Sequence, residues 1–133
     1  MSAVKVIRAL LIASPQVAAI VSDRVYAGVV PQGALPPAIG ITEVSNVQVG
    51  AFDAQAEFSL VTSRVQVTAM AKDYPSIKSM LDVIRRACNF QRGQIAMVDV
   101  VSITRDTVGP DIEDDTGMHF QSIDFKVTYQ EQN

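Results

Sequence analysis

The chain carries few residues with intrinsic reactivity: one cysteine, Cys88, and one histidine, His119. A nucleophilic thiol needs a base beside it to form thiolate. Cys88 instead falls on the apolar stripe of a helix-periodic segment, where a free cysteine acts as a small buried hydrophobe. His119 opens a strand-periodic segment and reads as a partly exposed strand residue. One histidine and one cysteine cannot complete a zinc tetrad. The carboxylates cluster in Asp111-Ile112-Glu113-Asp114-Asp115-Thr116-Gly117. That run is superficially like a calcium loop, but it lacks the EF-hand spacing and the closing bidentate glutamate. It reads as a solvated turn. Gly28, Gly33 and Gly40 match neither the dinucleotide nor the P-loop spacing. With no tryptophan and no interleaving of aromatic with basic residues, stacking on single-stranded nucleic acid is unsupported. No cofactor and no metal are expected, and the weight moves from catalysis to a structural or binding role.

Bulk properties narrow the setting. A chain of 133 residues is one domain, 1–133, by size. It is long enough to hold a core without disulfide or metal staples. Charged residues make up 19% against 48% hydrophobic, a low charge that suggests some surface is hidden in an assembly. The net charge is −3, and the eleven basic residues are scattered, with Arg85-Arg86 the longest basic run. A free nucleic-acid binder concentrates such residues on one face, and a membrane-surface helix does the same, so both classes are disfavoured. A single cysteine allows no internal disulfide and fits a reducing compartment. Residues 1–21 are apolar but interrupted by Lys5, Arg8, Pro15 and Gln16, unlike a signal peptide. No stretch has the length of a bilayer span, and the expectation is a soluble cytosolic protein.

The elements that would hold any site follow from periodicity. Residues 4–13 read as a helix, with Val4, Ile7, Leu10 and Leu11 at helical spacing. Ser14-Pro15 ends it and caps a second short helix over 15–21. Residues 24–30 read as a first strand, 31–37 as a loop and 38–44 as a second strand. Residues 46–57 read as a long irregular connection carrying Val47, Gln48, Val49, Phe52 and Asp53. Strict alternation over 58–71 predicts a half-buried strand. Asp73-Tyr74-Pro75 starts the main helix, whose apolar face is Ile77, Met80, Leu81, Ile84 and Cys88, with Asp82 and Arg86 placed to pair. Residues 94–104 read as one strand apolar on both faces, with Val98 and Val100 on the second face. Such a strand is either central or covered by a neighbouring subunit, which makes Val98 and Val100 candidate interface residues. Residues 105–117 read as an acidic loop and 119–129 as the last strand. This order predicts an α+β domain: a mainly antiparallel sheet of about five strands, packed by one main helix and a short N-terminal helical pair. Both long connections, 46–57 and 105–117, are expected to be mobile in the free protein and to order on contact with neighbours.

Several segments, in this order, resemble the tail-completion (tail-terminator) proteins of long-tailed bacteriophages. They are Ile7-Arg8-Ala9-Leu10-Leu11, Val17-Ala18-Ala19-Ile20-Val21, Asp23-Arg24-Val25-Tyr26, Val30-Pro31-Gln32-Gly33 and Leu35-Pro36-Pro37. Arg64-Val65-Gln66-Val67, the helix 74–88 and Gln121-Ser122-Ile123-Asp124-Phe125-Lys126-Val127 complete the set. The resemblance implies a non-enzymatic virion protein at the head–tail interface, present in the host cytoplasm during assembly. It implies a ring of this chain, six-fold by family expectation, that caps the tail tube protein and meets a head-side connector or head-closure protein. Genomic DNA would pass through its channel without sequence-specific binding, and no membrane is involved. On that reading the candidate interaction residues are Val47, Gln48, Val49, Phe52, Asp53, Asp111, Glu113, Asp114 and Asp115, with the acidic loop lining or approaching the channel. Three alternatives stay open: another neck component such as a head-closure or adaptor protein, a small enzyme using His119 or Cys88, and a relative within a phage-derived contractile particle.

Overall fold

A computed structural model describes residues 2–50 and 57–132. Phe52 and Asp53 lie outside the described residues. The N-terminal pair is α1 (Ser2–Ala13) and α2 (Pro15–Val21), bent by 87° at Ser14. The Ser14 hydroxyl accepts from the Val17 N–H, and Pro15 occupies the first helical turn. This satisfies an otherwise orphan donor and starts α2 with a residue that has no N–H to lose. The main helix, α3 (Tyr74–Cys88), starts at Asp73, whose carboxylate accepts from the Ser76 N–H at 2.9 Å. That bond holds the Asp73 carboxyl below its ordinary pKa. The predicted Asp82–Arg86 pair forms at 2.9 Å, and Arg85 joins the same carboxylate at 2.9 Å.

The strands are β1 (Val25–Ala27), β2 (Ala38–Gly50), β3 (Phe58–Ala71), β4 (Gly93–Ile95), β5 (Val98–Val108), β6 (Ile112–Glu113) and β7 (His119–Gln132). They form one sheet in the order β1-β2-β3-β7-β5-β4, with β6 pairing β7. The central strands β3 and β7 pair in unbroken register from Phe58↔Gln132 to Ala71↔His119. The alternation seen in the sequence is the pleat itself: Val61, Val65, Val67 and Ala69 are buried beneath the helices, and the residues between them face the helix-free side. Ile7, Leu11, Val17 and Val21 from the helical pair and Ile77, Met80, Ile84 and Cys88 from α3 pack on that face against Ile41, Phe125, Val127 and Ile103. The fold is therefore the α+β arrangement the sequence predicts, with helices on one side of the sheet.

Four expectations are corrected. The strand read over 94–104 is a hairpin, because Ala96 and Met97 both take the left-handed conformation, with φ 51° and 65°, and turn the chain between β4 and β5. The connection read over 46–57 is strand as far as Gly50, paired to β3. The loop read over 105–117 begins as the end of β5 and contains β6. The first strand, read over 24–30, shortens to β1, which pairs β2 in parallel at Val25↔Ile39 and Ala27↔Ile41; the other strand pairs are antiparallel, in keeping with the mainly antiparallel sheet expected.

Candidate functional site

The two reactive side chains are kept apart. Cys88 ends α3 in the core, fully buried, and burial pushes its thiol up to about 12. His119 opens β7 at the other end of that helix, beside Glu113 with Nε2 3.9 Å from Oε1. The length of α3, roughly 22 Å at 1.5 Å per residue, separates them. They make no nucleophile–base pair. Among the described residues no cluster of His, Cys, Asp and Glu could hold a metal ion.

Val98 and Val100 point into the protein's own core, 8% and 5% exposed. Because β4 and β5 make a hairpin, the outward residues here are Met97 at its tip and Val101 in a bulge of β5. The C-terminal half of β2 is the more open element. β1 pairs only with Ile39 to Ile41, and beyond Ile41 no strand pairs the outer edge of β2 among the described residues. Val44, Val47 and Val49 are all exposed along it, and Gln48 with them. Past Glu43, this edge with its exposed valines carries no charged residue and offers unpaired backbone donors and acceptors to another chain.

The middle of the helix-free sheet face is a polar ladder. Directly opposed hydroxyls bond at 2.9 Å in Thr62–Thr128 and Thr68–Ser122. Arg64 reaches the Asp124 carboxylate with Nε at 2.8 Å and a terminal nitrogen at 2.7 Å. Towards the β7 N-terminus this face turns apolar and deepens into a cleft of about 690 Å³. Residues 28–34 form one wall, Met70 and Phe120 the floor, and the turn 114–118 the other wall. Asp114 shapes that turn by accepting from the Thr116 hydroxyl at 2.6 Å, the Thr116 N–H at 2.9 Å and the Met118 N–H at 3.0 Å. These bonds, the Thr116 hydroxyl first, hold its carboxyl below the ordinary value. Asp111 is matched by Lys78, whose ammonium donates to it at 2.7 Å and to Gln121 Oε1 at 2.7 Å. The Asp111 bond holds the Lys78 pKa above its ordinary value. Glu113 and Asp115 are exposed beside the cleft.

Arginines gather near the C-terminal end of α3. After Asn89 caps α3, Phe90 takes φ 65° and stands 79% exposed, its N–H donating to the Ile103 carbonyl of β5. Arg85 and Arg105 line a shallow depression with it, and Arg86 and exposed Arg92 flank it in sequence. Phe90 is not among the residues that the sequence singles out. The signal available is an aromatic residue two positions after Cys88, the helix's last apolar position.

The chain is a small α+β domain with an open strand edge and two apolar surfaces bordered by charged residues, and among the described residues Cys88 and His119 form no reactive pair. It belongs to the tail completion protein gp17 family, whose model matches residues 5–130. A similar fold is found in a chain of a solved structure, the virion of a native gene transfer agent particle. The two share 14% identity with a TM-score of 0.72, over 96% of this chain and 94% of that one. No curated protein matches the sequence. The chain is thus a structural phage tail protein of the tail-completion type.

Proposed function

We propose that this protein caps the end of the completed tail tube as a ring, ends tail polymerisation and forms the joining surface for the head-side connector. The match to the tail-completion family over nearly the whole chain carries this reading. The fold supports it: the chain has distinct apolar surfaces on different sides, as a ring subunit with tube and head partners requires. Six copies are proposed, and the site of action is the neck of the virion after assembly in the host cytoplasm. Genomic DNA passes through the channel without sequence-specific binding, in keeping with a net charge of −3. The β2 edge with Val47, Gln48 and Val49, together with the Phe52–Asp53 segment, is assigned to contacts with the tube or head proteins. The protein acts by binding, not by catalysis.

Electron microscopy of lysates from a phage with this gene interrupted tests the reading. Overlong tubes, or tails lying unattached beside filled heads, are expected. Finished tails of normal length near filled heads would instead identify a head-side connector. Intact infectious virions would overturn both.

A further inference from the structure

We propose that the protein joins a second copy of itself head to tail, with Phe90 of one copy seated in the cleft of the next. The arginines around Phe90 then face the carboxylates beside that cleft. This rests on the ring reading above and supplies its subunit interface.

Phe90 carries the first part of the argument. It occupies the position after the helix cap where glycine is favoured, because a left-handed backbone crowds any Cβ. Its φ is 65° and the residue is 79% exposed, so packing within the chain does not offset the strain. An exposed aromatic held in a strained backbone is a feature the isolated fold does not need.

The cleft carries the second part. Its volume of about 690 Å³ admits an aromatic side chain with its neighbours, and Val30, Ala34, Met70, Met118 and Phe120 give it apolar walls. A buried aromatic in such a pocket is the usual anchor of a protein interface.

Charge selects the occupant. Arg85 and Arg86 share the single carboxylate of Asp82, while Arg92 and Arg105 are exposed with no ion pair among the described residues. Beside the cleft Asp111 is matched by Lys78 and Asp114 is held within its own turn, while exposed Glu113 stands 3.9 Å from His119 and Asp115 is exposed with no ion pair among the described residues. Arginines beside the knob and carboxylates at one wall of the hole are opposite in sign, and both belong to this chain.

Placement completes the argument. The cleft wall 28–34 lies on the β1–β2 side of the sheet, and Phe90 lies against β5 on the other side. One chain therefore cannot close the contact on itself. A contact between two different surfaces of identical subunits repeats copy after copy, and closes into a ring when its rotation permits.

The test uses the full chain, followed by analytical ultracentrifugation and by assembly on purified tail tubes. Phe90→Asp is expected to weaken self-association about thirtyfold. Phe90→Gly is expected to weaken it while raising the melting temperature by a few degrees, which separates lost contact from lost folding. Phe90→Cys combined with Ala34→Cys should give ladders of chains linked by disulfides under mild oxidation. Arg92→Glu with Arg105→Glu should block association, and adding Glu113→Lys with Asp115→Lys to the same chain should restore it. Rings that form unchanged in all these variants would overturn the interface and leave the ring reading standing. Cross-linking of the Ala34→Cys cleft to tail tube protein in place of a second copy would also overturn it. A wild-type chain that never self-associates, even on tail tubes, would overturn both.

Discussion

Cys88 and Arg64 show how far a single residue's role depends on which side of the sheet it meets. Cys88 sits under the helices with burial pushing its thiol up to about 12, so at pH 8 it is a thiol and not a thiolate. Labelling by a thiol reagent is therefore expected only through unfolding, at a rate that tracks stability as denaturant is added. Fast stoichiometric labelling of the folded protein would contradict the buried placement. Arg64 lies on the other face, where its guanidinium holds the Asp124 carboxylate, only 7% exposed. Arg64→Met removes the partner and leaves a shielded charge. Breaking a fully buried pair costs roughly 3–5 kcal/mol. With Arg64 39% exposed, water screens part of this, and about 2 kcal/mol is expected by urea denaturation. Adding Asp124→Leu should recover most of the loss, because the cost comes from the orphaned charge. Equal losses in the single and double variants would show that Arg64 matters through packing alone.

At the scale of elements, legibility in the sequence followed local regularity. Both helix starts were readable because Ser14-Pro15 and Asp73-Tyr74-Pro75 state their cap chemistry directly. β3 and β7 were readable because no bulge interrupts their ladder. The far half of β2 was not, since register shifts at Val44 and Val49 put side chains out of phase with the period of two. The β4–β5 hairpin was hidden for another reason: Ala96 and Met97 occupy positions normally held by Asn and Gly. Without that turn signal, Val98 and Val100 read as the second face of a single strand when they are core residues of the next one. The cleft and the polar ladder could not be read at all, because they arise where segments distant in sequence meet, and Phe90 left only the signal of an aromatic just past the last apolar position of α3. The hairpin gives a direct check on the turn. Ala96→Asn with Met97→Gly relieves two left-handed residues and should stabilise the domain by roughly 1 kcal/mol, measured by thermal unfolding. No gain, or a loss, would mean that the exposed Met97 side chain contributes to stability.

At the scale of the whole molecule, the acidic segment has two competing roles that charge alone does not separate. As a channel lining it would repel DNA, a force screened within about 8–10 Å at physiological salt. As the rim of the cleft it would meet arginines of the neighbouring subunit. The geometry favours the rim. The turn 114–118 forms a wall of the cleft, and its carboxylates differ in duty: Asp114 holds the turn through three hydrogen bonds, and Asp111 is tied to Lys78. Glu113, 3.9 Å from His119, and Asp115 are the exposed carboxylates that hold neither the turn nor Lys78. Glu113→Gln with Asp115→Asn removes two charges and leaves the Asp114 hydrogen bonds that hold the turn, so folding should be unchanged by circular dichroism. If the segment is a rim, this pair weakens self-association, the loss shrinks as salt rises, and tails accumulate uncapped. If it lines a channel, rings and virions form normally and only DNA ejection slows. The first outcome is expected, because a rim residue acts at contact distance against fixed arginines, whereas a channel residue acts on DNA across screened water.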